Sequence, residues 1–156
     1  MRAAHALMFS VLFGVLLLIG GQKAAALPPI PAQVTIILGG TEGTGVSPEL
    51  ARIEALKKAP FDAFPKKALL KKVDVAIDVG SSAEVELPNG RKLKLSILEK
   101  TKDGGYRVSV SINRPNQQDY LPVVTVVAAP GDPFFVAGQK YEGGTLIIGV
   151  TVGKAG

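Results

Sequence analysis

The chain has 156 residues and a formal net charge of +5 at pH 7, and it contains neither cysteine nor tryptophan. Its only histidine, His5, lies in an N-terminal segment that we predict to be removed. Without imidazole or thiol, the remaining chain cannot use Ser-His-Asp or Cys-His nucleophiles, zinc sites built from His or Cys, or dithiol redox chemistry. Carboxylate pairs, Ser-Lys pairs and metal sites with oxygen ligands remain.

The first 26 residues have the pattern of a secretory signal peptide. Arg2 is the positive n-region, residues 7–19 are an apolar core, and Ala24 and Ala26 are the small residues before the expected cleavage. The core is too short for a membrane-spanning helix, which needs about 18 or more apolar residues. We therefore predict a periplasmic or secreted protein with no membrane span after cleavage. An uncleaved membrane anchor is the alternative.

Removing the first 26 of the 156 residues leaves 130, enough for one domain with its own core. The net charge falls from +5 to +3, because Arg2 and Lys23 leave with the signal peptide and all 13 acids stay. This balance is too mild to indicate a nucleic-acid partner. We predict an extended proline-rich leader at residues 27–33 and a single β-rich domain at residues 34–156.

A strand, a glycine-rich loop and a helix are predicted next. Residues 34–38 form the strand, and residues 38–50 read LGGTEGTGVSPEL. Ser47 is a suitable helix N-cap and Pro48 suits the first helical position. Three apolar residues then recur at every third position: Leu50, Ile53 and Leu56. This pattern predicts an α-helix of about eleven residues that ends near Lys57.

The glycine-rich loop has the outline of a phosphate-binding P-loop but lacks its lysine. Gly40 and Gly45 have the spacing of GxxxxGK[ST], while Val46 occupies the position of the lysine that reaches the β and γ phosphates. The dinucleotide motif GxGxxG fails as well, because Pro48 stands where its third glycine should be. We predict no nucleotide and no cofactor. The N–H groups of residues 47–50 remain a candidate site for a small anion.

Two phenylalanines and a lysine pair lie close together after the predicted helix. Phe61 and Phe64 stand between prolines, and Lys66 and Lys67 follow them. Exposed together, these four side chains would form an interaction patch for a protein or an envelope component. The alternative is that both aromatic rings plug the end of a core and the lysines are a solvated surface.

Six further strands are indicated by runs rich in Val, Ile and Leu between turn-forming residues. They are residues 69–79, 83–87, 91–98, 106–113, 121–128 and 145–152. The runs PVVTVVAA, at residues 122–129, and TLIIGVTV, at residues 145–152, are almost continuously apolar. We therefore predict that these two strands are covered on both faces.

The sequence around PNG, residues 88–90, predicts a β-hairpin with a defined register. Pairing Leu87 with Leu93 and Val85 with Leu95 gives one apolar face, and Glu86 then lies opposite Lys94 on the wet face. A shift by one residue would destroy the apolar face. The pattern therefore requires a loop with an odd number of residues, three or five, instead of a two-residue turn.

These elements together predict a mainly β fold, an antiparallel β-sandwich or open barrel that carries one short α-helix. The helix and the first strand would cover the second face of the most apolar strands.

Three stretches resemble a family of small exported bacterial proteins that has no assigned function. They are APFDAF at residues 59–64, LPNGRKL at residues 87–93 and FFVAGQKYEGGTLIIGV at residues 134–150. The resemblance spans about residues 34–152, and its motifs are structural: a loop plug, a hairpin, and a final strand with the turn before it. It implies an exported β-rich domain and brings no catalytic residues with it.

The expected function is that of an exported, non-catalytic binding or accessory module of the cell envelope or periplasm. One alternative is a small hydrolase that uses carboxylates or a Ser-Lys pair, with Ser81, Ser82, Ser96, Ser109 and Ser111 as serine candidates. Another is a ligand-carrier or inhibitor domain. Two acids in a cleft would favour the hydrolase, an apolar cavity between the sheets would favour the carrier, and an exposed Phe61/Phe64 patch would favour the interaction module.

Overall fold

The computed structural model describes residues 27–113 and 124–154. The predicted signal peptide at residues 1–26 and the start of the predicted strand at residues 121–128 lie outside the described residues. Nine strands and two short 3-10 helices follow one another in the described part. They are β1 (Ile30–Gly40), β2 (Gly45–Val46), η1 (Glu54–Lys57), η2 (Phe61–Ala63), β3 (Lys66–Ile77), β4 (Ser82–Glu86), β5 (Lys92–Lys100), β6 (Tyr106–Ile112), β7 (Val124–Ala128), β8 (Phe134–Tyr141) and β9 (Gly144–Val152).

The strands form two sheets, here called sheet A and sheet B. Sheet A has five strands in the order β2-β3-β1-β9-β8, and sheet B has four in the order β4-β5-β6-β7. In sheet A, β1 is central and pairs antiparallel with both β3 and β9. Sheet B is an antiparallel meander. Because the sheets pack face to face, the predicted mainly β, sandwich-like fold is confirmed.

The inner core lies between the two sheets and consists of aliphatic side chains with Tyr106. Alternate residues of β1 and β9 point into it from sheet A, and alternate residues of β5 and β6 point into it from sheet B. Its fully buried members include Val34, Ile36, Leu93, Leu95, Ile97, Val108, Leu146 and Val150. The strict alternation is what a pleated strand with one face on a core requires.

β1 begins at Ile30, inside the predicted proline-rich leader, so residues 30–33 belong to the sheet. Two pairings hold this early part of the strand: Ile30 lies opposite Ile77 and Ala32 opposite Val152. Proline is tolerated at the start of a strand, which explains why Pro31 does not prevent the pairing.

The predicted α-helix at residues 47–57 is wrong. The segment is a series of turns that ends in η1. The N–H groups of Leu50, Ile53 and Leu56 each donate to the carbonyl three residues earlier, at 2.8, 3.1 and 3.2 Å. Three-residue turns align every third side chain, whereas the 3.6-residue repeat of an α-helix rotates them apart. The strict spacing of three that indicated a helix therefore belongs to tight turns.

These turns and η2 form a covering segment, residues 47–64, on the face of sheet A that points away from sheet B. Side chains from both layers make a second hydrophobic cluster, here called the outer core. It contains Ile37, Leu50, Leu56 and Ile147, with Ile53, Phe61, Phe64, Leu69 and Phe135 packed against them. Sheet A is therefore covered on both faces along β1 and β9, although the cover is not the predicted helix.

The β4–β5 hairpin has the predicted faces and a different register. Val85 lies opposite Leu93, and Glu86 lies opposite Lys92 instead of Lys94. A shift of two residues leaves every side chain on its predicted face, so the alternation could not distinguish the two registers. The turn selects the register. Leu87 N–H donates to the Arg91 carbonyl at 2.7 Å, and this hydrogen bond closes a loop of three residues. The prediction of an odd loop is confirmed.

The two apolar runs have different positions in the sheets. β9 lies between β1 and β8 and is buried on both faces, as predicted. For β7 the prediction is wrong, because β7 is the last strand of sheet B, with Val124 47% and Val127 61% exposed. An apolar run alone does not distinguish a covered strand from an edge strand.

β8 was not predicted, because a proline precedes it and Gly138 interrupts it. Gly138 is the extra residue where the β8–β9 register shifts, and its φ of 141° disfavours a side chain. A glycine inside a strand often marks such a β-bulge.

Candidate functional site

The four residues of the predicted patch are neighbours, but only Lys66 is fully on the surface. Lys67 is 6% exposed, and its ammonium group donates to the Phe64 carbonyl at 2.6 Å. Lys67 thus ties the end of the covering segment to β3. Burial of its stem and a charge-assisted hydrogen bond at its tip give it a structural position.

Both aromatic rings of the patch are partly buried in the outer core. The ring of Phe61 meets that of Phe135 edge to face, with 5.8 Å between the centroids. Phe64 lies directly over Gly39, where a Cβ atom would come within 2.9 Å of its ring. The two rings therefore take the plug position, and each keeps only part of its surface exposed.

Phe64 and Lys66 border a different feature, which we call the glycine end of the sandwich. It comprises Gly39 and Gly40 at the end of β1, residues 41–44 after them, and the turn from Tyr141 to Gly144 between β8 and β9. The two parts touch closely: a Cβ atom on Gly144 would lie 2.5 Å from the Gly39 carbonyl oxygen. Only glycine at position 144 permits this contact, so the backbones themselves form the surface here.

The turn at the glycine end is strained. Tyr141 pairs with Gly144, which leaves Glu142 and Gly143 as a two-residue turn. Their φ values are 43° and 74°, as a type I′ turn requires. Among the described residues, Glu142 is the only non-glycine residue with a positive φ. Asn or Gly is the usual residue at that position, because a positive φ is energetically unfavourable for a residue such as Glu142.

Two clefts open on the two sides of β1 at the glycine end. The outer cleft, of about 490 Å³, lies on the covering-segment side, and the inner cleft, of about 260 Å³, lies on the side of Lys66. Four residues line both of them: Thr41, Glu142, Gly143 and Gly144. The outer cleft also has Gly39, Phe64, Lys140, Tyr141 and Thr145, and the inner cleft has Leu38, Gly40, Glu42, Lys66 and Ala68.

Both clefts carry charges of both signs: Lys140 and Glu142 in the outer one, and Lys66 with Glu42 and again Glu142 in the inner one. The ion pairs seen in the described part of the chain involve none of these four side chains. Partial desolvation, reinforced by the Glu142 carboxylate, raises the pKa of the Tyr141 phenol. The Glu142 carboxylate thus favours the protonated phenol, which can donate a hydrogen bond.

The N–H groups of residues 47–50 do not form the anion site considered above. Ser47 N–H donates to the Lys67 carbonyl at 2.9 Å, and Leu50 N–H donates to the Ser47 carbonyl at 2.8 Å. The Ser47 hydroxyl accepts the Leu69 N–H at 3.0 Å instead of capping a helix. The predicted anion site is wrong, because no helix N-terminus exists there and most of its donors are already used.

An apolar cavity of about 230 Å³ lies between the sheets, bordered by β6, β7, β8 and β9. Its walls include Val110, Ile112, Val136, Leu146 and Ile148. Ser111 is the only one of the five candidate serines among its lining residues, and no lysine accompanies it. Ligand pockets usually measure about 300–1,000 Å³, so this cavity is small for a carrier site.

Within residues 27–113 and 124–154, no group of three or more acidic side chains is placed to hold a metal ion. No helix in the same part of the chain is long and apolar enough to cross a membrane.

Comparison with protein-family models, curated protein sequences and solved structures gives no match. The resemblance to the family of small exported bacterial proteins therefore stays a prediction.

Sequence reasoning missed the part of the glycine end that belongs to the β8–β9 turn. The residues YEGG, at 141–144, carry a usable signal, because two central residues before a strongly apolar strand fit a two-residue hairpin turn. The contact of this turn with Gly39, across about a hundred residues of sequence, has no local signal.

Proposed function

We propose that this protein is an exported, non-catalytic binding module of the cell envelope or periplasm, and that its ligand binds at the glycine end. One observation carries the proposal: two clefts with several polar lining residues share Thr41 and the turn at Glu142, a residue held in a costly backbone conformation. Concave sites with a few convergent polar groups are the usual ligand sites, and backbone strain concentrates at such sites.

The chemistry of the outer cleft favours a neutral, hydroxyl-rich ligand such as an oligosaccharide. Thr41 and Thr145 offer hydroxyl groups, Lys140 donates, Glu142 accepts, and the rings of Phe64 and Tyr141 border the same space. A sugar hydroxyl both donates and accepts, so it can use all of these partners. A simple anion would meet the Glu142 carboxylate, and a simple cation would meet the Lys140 ammonium group.

The sequence supports binding over catalysis and a location outside the cytoplasm. After the predicted cleavage, the chain has no histidine and no cysteine, which removes the commonest general bases and nucleophiles. A polysaccharide of the cell envelope would be available to an exported protein.

The proposal is tested by titrating the 15N-labelled protein with tri-N-acetylglucosamine as the saccharide probe and following backbone amide shifts. We expect the largest shifts at Gly143 and Gly144. Thr145→Val keeps the side-chain shape and removes one hydroxyl, so it should weaken binding about fivefold, the value of one hydrogen bond.

Thr151→Val is the matched control, because it makes the same change in the same strand, β9, away from the glycine end. It should leave the affinity unchanged. Amide shifts that map elsewhere, or equal affinities for the two variants, would contradict the proposed site. The same titration with inorganic phosphate should give no shifts at Gly143 and Gly144.

A hydrolase is the second candidate, supported by one observation. Glu42 and Glu142 both line the inner cleft, and Lys66 lines it as well. Two carboxylates that flank a bond are the usual machinery of glycoside hydrolysis. Mass spectrometry of the saccharide probe after long incubation separates the two candidates. Cleavage that is lost in both Glu42→Gln and Glu142→Gln would establish the hydrolase, whereas an intact probe that still binds supports the binding module.

A further inference from the structure

The two sheets have four edges, and three of them carry features that oppose pairing with another strand. The free part of β3 has Lys71, Lys72 and Asp74, and β4 has Glu84 and Glu86. The third edge, β8, has the Gly138 bulge and Lys140. Charges and bulges on edge strands are the common protection against unwanted strand pairing.

The fourth edge, β7, has no such protection. Its sequence, VTVVA, has no charge and no proline, and its pairing with β6 runs without a bulge. Within the described part of the chain, β6 is its only strand partner. Val124 and Val127 are 47% and 61% exposed. A flat, apolar, unprotected edge is a template for another strand.

Among the described residues, those of β6 that pair with β7 add no unpaired charge that would repel a strand. Arg107, which lies opposite Val127, is paired with Glu99 at 2.8 Å. Thr125 lies opposite Ser109, a neutral residue. On the inward side, Val124 forms part of the rim of the apolar cavity between the sheets. The apolar surface of the edge is therefore continuous with that cavity.

We propose that β7 pairs antiparallel with β7 of a second copy of this chain, which joins two B sheets into one eight-stranded sheet across a two-fold axis. A two-fold axis at Val126 places Thr125 of each copy opposite Val127 of the other and uses all five residues. The register is even, so inward-facing side chains stay on the inward face in both copies.

The absence of charge is what favours a second copy as the partner. In a symmetric pairing, each residue meets the same short sequence in reverse, so any charged edge tends to face its own charge. Self-pairing would bring glutamates together at β4, whereas β7 brings together only Val, Thr and Ala. Five paired residues make a small interface, so the dimer should form in a concentration-dependent way.

Sedimentation equilibrium of the purified protein over a wide concentration range tests the proposal. Wild type should show a monomer–dimer equilibrium. The double variant Thr125→Lys and Val127→Lys places lysine opposite lysine at both exposed positions across the axis. We expect this variant to weaken the dimer at least about tenfold.

The matched control is Thr125→Lys with Val127→Glu. It introduces as many charges, but each new lysine faces a new glutamate of the second copy, so dimerisation should be retained. An equal mixture of the double-lysine and double-glutamate variants should likewise form mixed dimers. Circular dichroism and the urea midpoint show whether each variant is folded.

A wild type that stays monomeric at all concentrations would overturn the proposal. So would a folded double-lysine variant that dimerises as well as wild type, or a Lys/Glu control that fails to dimerise. None of these outcomes depends on the saccharide titration, so the two proposals succeed or fail separately.

Discussion

Glu142 shows how a single residue can oppose the local preference of its backbone. The turn between β8 and β9 needs positive φ at both central residues, and Gly143 meets this need where Glu142 does not. The same residue lines both clefts, and its carboxylate acts on the Tyr141 phenol. A costly conformation at a residue that lines two clefts fits a functional site better than a purely structural turn.

Replacing Glu142 by asparagine should stabilise the fold, because asparagine tolerates positive φ far better than glutamate. We expect the free energy of unfolding to rise by about 0.5–1 kcal/mol in urea titrations. Glu86→Asn, in the regular strand β4, is the control and should bring no gain. Equal or lower stability of the Glu142 variant would show that the carboxylate compensates for the strain.

At the scale of the element, the β4–β5 hairpin shows two separate effects. The alternation of apolar and polar residues determines which face is buried, and the turn determines the register. Alternation placed Val85, Leu87, Leu93 and Leu95 on one face, and all four are 4% exposed or less. It could not choose between registers two residues apart, because both bury the same side chains. Gly90, with a φ of 80°, completes a three-residue loop and thereby selects the pairing.

Substitutions in β5 should follow these faces. Leu95→Ala should lower the free energy of unfolding by about 2–5 kcal/mol, because Leu95 is fully buried and its loss leaves a cavity in the inner core. Lys94→Ala, one residue away on the wet face, should change it by no more than about 1 kcal/mol. Urea unfolding of the two variants measures the difference, and similar losses in both would contradict the assigned faces.

At the scale of the whole molecule, sheet A is the middle layer, with sheet B on one face and the covering segment on the other. This arrangement explains why β1 and β9 are so apolar, since both of their faces are buried. It also brings the two ends of the described chain into adjacent strands of one sheet. The glycine end and the β7 edge are two surfaces of the described residues that this packing leaves open.

Export is the prediction that concerns the molecule as a whole. The short apolar core and the small residues at Ala24 and Ala26 predict a mature protein that begins near Leu27 and leaves the cytoplasm. N-terminal sequencing of the protein from an exporting host checks this. Leu27, the expected first residue of the mature protein, is 80% exposed. A protein that retains Met1 in the membrane fraction would contradict the prediction.

The sequence by itself determined the features that depend on near neighbours along the chain. The alternation of apolar and polar residues predicted the mainly β class and the buried faces of β4 and β5, and the missing lysine at Val46 excluded a P-loop.

Tertiary structure alone decided the other features. Leu50, Ile53 and Leu56 lie in turns that pack on the apolar outer face of sheet A, and the run at β7 is the last strand of sheet B. The glycine end joins Gly39 to Gly144, and Lys67 turns inward to the Phe64 carbonyl. Such contacts depend on which strands become neighbours, and a local pattern carries no information about that choice.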